Sequence, residues 1–271
     1  MIVSAEELFA GRVLLTVPHM DDGVLACGGT IAQLSDPSRV HVVYASDGRG
    51  SPEPVVPWRD RVTDDLFEVR RAEAIAAMSH LGVPKDQLHF LALPDRRLRN
   101  HSAKLGSEFQ GLVARLAPDR VLAPFRFDQN PDHLAVHAAA RACAPRFLVE
   151  YFVYYRMRFL PGGDLRDYLQ PALRSEVDIR AGSEAKRVAL DCFASQTTRF
   201  YPWQTRPNLT ADLLDDVSTA PESFVCDAPA GGDIFFRNAT RIRILNRLEP
   251  TLKRPKDRAI ALLRRGLPRN V

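Results

Sequence analysis

Residues 14–34, "LLTVPHMDDGVLACGGTIAQL", decide the fold. The run 12–18, "RVLLTVP", is short, β-branched and leucine-rich, with no polar alternation. That is how a parallel strand buried on both faces reads. Its end is marked by Pro18, and an apolar, helix-like segment follows over 22–35, stopping near Asp36-Pro37. Between them stand His19, Met20, Asp21 and Asp22, three titratable side chains where a strand leaves a core. In an open α/β sheet, sites form at such carboxyl ends.

Outward from this stretch the same alternation repeats. Strands are predicted at 40–46 ("VHVVYAS"), 87–93 ("QLHFLAL"), 119–125 ("DRVLAPF") and 149–155 ("VEYFVYY"). Helices are predicted at 63–81, 103–116 and 132–144. Five strands separated by helices argue a doubly wound, mostly parallel α/β sheet. Beyond about residue 156 the pattern loosens into a divergent C-terminal extension, with a helix at 183–195 and a loop-rich stretch over 196–240. The expected organisation is a domain over 1–240, its core about 10–200, and a basic tail over 241–271. That tail reads as a broken amphipathic helix packing on the domain or on an oligomer partner.

Composition sets bounds. The chain has 271 residues, 45% hydrophobic and 26% charged, the profile of a globular protein with room for a large core. The formal charge is +4, but residues 241–271 carry ten Arg/Lys against Glu249 and Asp257, leaving the first 240 residues at net −4. The basic character therefore belongs to the tail, and nucleic acid is not an expected partner of the main domain. No apolar run approaches the ~20 residues of a membrane helix, so no integral membrane segment is expected. Cys27, Cys143, Cys192 and Cys226 form no CxxC pair. With no signal-peptide pattern at the N-terminus, they read as reduced, mostly buried thiols of a cytoplasmic protein.

A second polar group, "RFDQNPDHLAVH" (126–137), follows the fourth strand. In the common doubly wound order, strands one and four are neighbours where strand order reverses, so both polar groups meet in one cleft. His19, Asp22 and His133 then offer two imidazoles and a carboxylate, which leaves one position of a tetrahedral zinc for water. Asp21 remains free as a base beside that water. Plainer readings stand beside this one: Asp21 or Asp22 as a helix cap, and His133 with His137 as a surface pair at i, i+4. Asp132 is a candidate to orient His133, and Asp128 to organise the loop or touch substrate. "CGG" (27–29) suits close helix–sheet packing, and "YFVYYRMRF" (151–159) suits a core strand, with an aromatic platform for a sugar as the second reading.

The stretch "VPHMDDGVLACGGTIAQL" resembles the zinc-dependent N-acetylglucosaminyl deacetylases of the LmbE/PIG-L family, whose signature is His-Pro-Asp-Asp-Glu followed by a glycine pair. The resemblance continues in order through "YASDGRGS", "RRAEAIAAMSHLGV", "LPDRRL", "DQNPDHLAVHAAA" and "KRVALDCFASQ", covering about residues 10–200. It implies a Rossmann-like fold and hydrolysis of an acetamido sugar, or a conjugate of one, to amine and acetate. It also implies that His19, Asp22 and His133 bind Zn2+, that Asp21 is the general base, and that Arg70 and Asp95 contact the sugar. Three departures stand out: Met20 for the usual proline, Gly23 for the glutamate, and Asn130 where many members carry a histidine that steadies the oxyanion. An asparagine amide can still donate a hydrogen bond there, though not a proton. These departures keep open a metal-containing binding or regulatory relative with weak turnover. A metal-free nucleotide-binding domain is disfavoured, because no Gly-x-Gly-x-x-Gly follows the first strand.

Overall fold

The computed structural model describes residues 1–52, 62–144, 148–155, 164–226, 233–236, 240, 242 and 244. Its strands are β1 (Val13–Val17), β2 (Val40–Ser46), β3 (Leu88–Leu93), β4 (Arg120–Pro124), β5 (Leu148–Tyr151), β6 (Arg174–Val177) and β7 (Glu222–Val225). Its α-helices are α1 (Ala5–Leu8), α2 (Asp22–Ile31), α3 (Leu66–His80), α4 (Ser102–Leu116), α5 (Pro131–Cys143), α6 (Ser183–Asp191), α7 (Ala194–Thr197) and α8 (Ala211–Thr219). They build a mixed α/β domain around a seven-stranded sheet of order β3-β2-β1-β4-β5-β7-β6.

The five expected parallel strands are all present, and β1 lies between β2 and β4. Every residue of β1 is buried, as a strand covered on both faces requires. Alternate side chains enter opposite layers. Val13, Leu15 and Val17 pack with α2, α3, α6 and α8, while Leu14 packs with α4 and α5. The connections thus wind to both sides, and the loops after β1 and β4 emerge side by side.

The extension departs from the expected loops. Strand β7 inserts antiparallel between β5 and β6. Strand β5 ends at Tyr151, not at residue 155, because the following apolar residues leave the ladder: Phe152 and Tyr155 join a third cluster with Leu165, Val225 and Phe235. The predicted helix over 183–195 is two helices, interrupted at Cys192 and Phe193. Of the basic tail, Ile242 and Ile244 are described; Ile242 is buried in the third cluster and Ile244 is half exposed. The rest of the tail call lies outside the described residues. Among the four cysteines, Cys27 alone is buried and the others are partly exposed, so the expected burial holds for one of them.

"CGG" does serve close packing, but against a turn and not the sheet. A Cβ on Gly29 would stand 2.6 Å from Cβ of Ile179, where any larger residue collides.

At the other end of the strands, His41 and His89 stack with ring centroids 5.7 Å apart. Nδ1 of His41 and Nε2 of His89 are buried without a hydrogen-bond partner. Burial lowers the pKa of both; Arg12 and Arg115 add to this at His41 against Asp86, and His41 and Arg115 add to it at His89. Groups with a depressed histidine pKa bind fewer protons folded than unfolded, so their contribution is whole above about pH 6.5 and falls as pH drops below it. The urea midpoint is expected to fall less between pH 7.5 and 5.5 in the His41→Gln/His89→Gln variant than in the parent. Equal slopes would remove the pair from the account.

Candidate metal centre and active site

The strand β1 ends where Pro18, lacking an N–H, leaves the ladder while its carbonyl accepts from Ser46 N–H. Four residues later α2 begins, and neither Asp21 nor Asp22 caps it. Asp21 occupies the N-cap position without a side-chain cap bond. The plain capping reading therefore does not describe these carboxylates. Instead Asp22 Oδ2 accepts the backbone N–H of His19 at 2.9 Å and lies 2.9 Å from His19 Nδ1.

Across the strand boundary, α5 starts on Asn130, whose Oδ1 accepts the N–H of Asp132 at 2.9 Å. Its first turn delivers His133, fully buried, with Nε2 3.3 Å from Asp22 Oδ2. That nitrogen has no hydrogen-bond partner. Its close neighbour is a carboxylate oxygen, and a cation between the two would take a lone pair from each. His19, Asp22 and His133 each present a donor atom within 4.8 Å of the others. Two imidazoles and one carboxylate fit a divalent metal with an open position. The sequence-based ligand set is thus brought together from two loops more than a hundred residues apart.

The ring of His133 is aimed by Asp128, whose Oδ2 lies 3.0 Å from Nδ1. A carboxylate on the far nitrogen is the usual way a metal-binding histidine is oriented. The sequence reading offered Asp132 for this role. Asp132 instead accepts the backbone N–H groups of Arg96 at 2.6 Å and Leu98 at 3.0 Å, bracing the loop after β3 against α5. With both oxygens so engaged, the alternative cluster of His19, Asp95 and Asp132 is a poorer cation site than the first. His137 is neither ligand nor surface residue: it is buried, its Nδ1 2.9 Å from the Pro124 carbonyl.

Charge in the cluster is finely balanced. Burial works against the protonated form of His133, but Asp128 and Asp22 outweigh it and push its pKa up to about 9. The same contest lifts His19, with Asp22 as its main acidic neighbour. Burial would raise Asp22, yet His133 and His19 hold it well below the carboxylate range. The acidic cluster thus demands positive charge on its nitrogens, which a metal cation would supply in place of protons.

Asp21 stands apart from the ligands. Its Oδ1 accepts Arg70 Nη2 at 2.8 Å, while Arg70 Nη1 donates to the Gly48 carbonyl at 2.9 Å. Gly48 has φ of +67°, and a Cβ there would press on the guanidinium, so glycine lets the loop close over Arg70. Burial raises the Asp21 pKa, with Arg70 opposing and Asp22 reinforcing. Arg70 is buried, and at the edge of the cavity it holds Asp21. Asp95 contacts His19, its Oδ1 3.2 Å from Nε2, and its Oδ2 accepts Gly50 N–H. All the predicted site residues except His133 line one cavity of about 120 Å³.

Three features lie outside the expected set of site residues. Tyr154 lines the cavity and stacks on His133, with ring centroids 5.4 Å apart at 21°. Beneath the site, Lys186 and Glu222 form a buried pair at 2.7 Å. The space beside Gly23 is filled by Met78, Val17 and Leu15, so the missing glutamate leaves apolar packing and no hole. The hydroxylated aromatics of "VEYFVYY" were the available signal for the first; the Lys186–Glu222 pair left none.

Residues 14–144 match the family model PIG-L, described as GlcNAc-PI de-N-acetylase. Diacetylchitobiose deacetylase of Thermococcus kodakarensis is 31% identical over 147 residues, covering 50% of this chain and 52% of that protein. The chain thus spans about half the length of the curated relative it matches. The solved A40926 pseudoaglycone deacetylase aligns over 79% of this chain and 96% of its own, at TM-score 0.57 and 23% identity. GalB, the 4-carboxy-2-hydroxymuconate hydratase from Pseudomonas putida, aligns over 69% and 80%, at TM-score 0.52 and 22% identity. Likeness at these identities speaks for the fold alone, and that fold serves a deacetylase and a hydratase. The matched span runs from β1 to the end of α5 and, among the described residues, holds the cavity lining with Tyr154 excepted: residues 14–144 carry a PIG-L/LmbE family domain.

Proposed function

We propose that this protein is a zinc-dependent amidohydrolase that removes the acetyl group from an N-acetylated sugar or sugar conjugate. One observation carries the reading: the buried Nε2 of His133 and a ring nitrogen of His19 converge on Asp22 Oδ2 within reach of one shared ion, with Asp21 beside them at the same cavity. When bound, zinc supplies Lewis-acid activation of the water and of the amide carbonyl.

The chain's own residues do the rest. Asp21 takes a proton from the attacking water and returns it to the leaving amine, since Asn130 cannot donate one. Arg70 fixes the direction of that carboxylate by binding one of its oxygens. Asp128 holds His133, and Asp95 meets His19 on its far nitrogen. The carbonyl end of Asn130 is engaged as the α5 cap, which leaves Nδ2 as the end that donates to the developing oxyanion. At about 120 Å³ the cavity is smaller than the roughly 300–1,000 Å³ that enclose whole ligands. It suits the acetamido end, with the remainder of the conjugate on the rim.

The zinc-loaded protein is expected to hold one metal ion per chain and to release acetate from N-acetylglucosamine or N,N'-diacetylchitobiose. A chelator should abolish release and zinc should restore it. Metal bound without acetate from any acetamido sugar would favour the binding relative; no metal bound would end the ligand assignment.

Asn130→Asp separates the two jobs of that residue. Aspartate caps a helix as well as asparagine, so thermal stability should hold, but the donor is gone and kcat should fall about 10²- to 10³-fold. Unchanged kcat would remove Asn130 from the chemistry.

A further inference from the structure

We infer that the ring of Tyr154 is the wall that receives the acyl group's methyl and limits the length of acyl chain the protein hydrolyses. The inference rests on the deacetylase reading and deepens it. Most of the cavity lining is charged: Asp21, Asp22, Asp95 and Asp132 face Arg70 and Arg96. An acetamide brings one apolar end, its methyl, and carboxylates and guanidinium groups are poor neighbours for it. Among the described residues lining the cavity, Tyr154 offers the one carbocyclic face.

Its position is the decisive point. The carbonyl carbon must approach the metal centre, and the methyl is one bond from that carbon. The Tyr154 ring stacks on His133, a member of that centre, so the methyl and the ring belong to the same end of the cavity. The ring is also backed. Tyr154 packs against the main hydrophobic cluster, so it cannot swing aside for a longer chain without opening that packing. Tyr154 lies beyond residue 144, outside the family-matched span, on the segment where β5 gives way to the extension. Acyl selectivity is therefore set by a part of the chain separate from the ligands.

The test uses zinc-loaded protein with N-acetyl-, N-propionyl- and N-butyrylglucosamine, following release of the free amine. The parent should favour acetyl over butyryl in kcat/KM by at least tenfold, the scale of one or two methylenes in a closed pocket. In Tyr154→Ala that ratio should approach one, with metal content unchanged, while Tyr154→Phe should keep the parent's ratio. Saturation-transfer NMR with acetate and butyrate gives a second readout: the parent should bind acetate in preference, and Tyr154→Ala should bind both. If Tyr154→Phe loses the ratio as Tyr154→Ala does, or if Tyr154→Ala keeps it, the ring is not the wall. If the parent releases amine from none of the three, the deacetylase reading fails, and the carboxylate binding series alone decides the role of Tyr154: equal binding in parent and variant overturns it.

Discussion

Asp21→Asn is expected to leave the fold and the metal in place and to lower kcat by about 10²- to 10⁴-fold, the usual worth of a positioned general base. The geometry makes the substitution clean. In the proposed site Asp22 and the two histidines are the ligands, and Asp21 belongs to neither candidate ligand cluster. Its Oδ1 is held by Arg70 Nη2, and an asparagine oxygen can accept the same bond. The change therefore removes proton affinity and keeps shape. Metal content by elemental analysis and kcat on an acetamido sugar read the two effects separately. Loss of metal in Asp21→Asn with full loading in Asp22→Asn would reverse the assignment of the pair. The same contact refines Arg70. Because Arg70 is buried against Asp21, Arg70→Met should lower kcat more than it raises KM; a pure KM effect would return Arg70 to the sugar.

Lys186→Met is expected to destabilise the folded protein by about 3–5 kcal/mol, the cost of stranding one charge of a buried pair. Glu222 lies at the centre of the network. Its carboxylate accepts Gly29 N–H, Thr30 N–H, the Thr30 hydroxyl and Lys186 Nζ at 2.5–2.8 Å. Lys186 Nζ also donates to the Leu25 carbonyl at 2.8 Å. In an unbroken helix that carbonyl serves Gly29 N–H, so the pair is inserted into the hydrogen-bond ladder of α2, the helix that begins with Asp22. Glu222→Ala leaves four donors short and should cost more than Lys186→Met. The double variant Lys186→Met/Glu222→Gln should be less destabilised than the sum of the singles. Urea unfolding of the metal-loaded proteins measures all of these, and a loss under about 1 kcal/mol in Lys186→Met would show that the pair is solvated.

The sequence was most legible where its chemistry was local. "RVLLTVP" and "DRVLAPF" are apolar runs bounded by polar loops, and the neighbouring of their ends follows from the doubly wound order, so His19, Asp22 and His133 converge as expected. What failed to show was set by distant contacts. The stretches "RSEV" and "ESFV" are short and carry glutamates, so neither reads as a sheet strand, yet each pairs with the other. Glu176 meets Arg174 of its own strand, but Glu222 is satisfied by partners that no local pattern reveals: it binds a helix nearly two hundred residues earlier. "VEYFVYY" stays apolar beyond its strand because the same residues serve another cluster and the cavity, and apolar periodicity cannot separate the two uses. Whether Asp128 or Asp132 meets the His133 ring depends on the path of one turn, in which Asn130 N–H donates to Asp128 at 2.7 Å.

The late insertion of β7 has a consequence for how the protein is made. A chain emerging from the ribosome has all three metal ligands and the five parallel strands in hand by Tyr151, because domains fold from the N-terminus as they appear. Glu222, which fastens α2, arrives some seventy residues later and must enter between two strands already present. Closing contacts of such sequence separation is slow. Nascent protein therefore passes through a stage in which His19, Asp22 and His133 are all present while the helix that begins with Asp22 is still unlatched, so the proposed metal would meet its ligands before Glu222 fastens them.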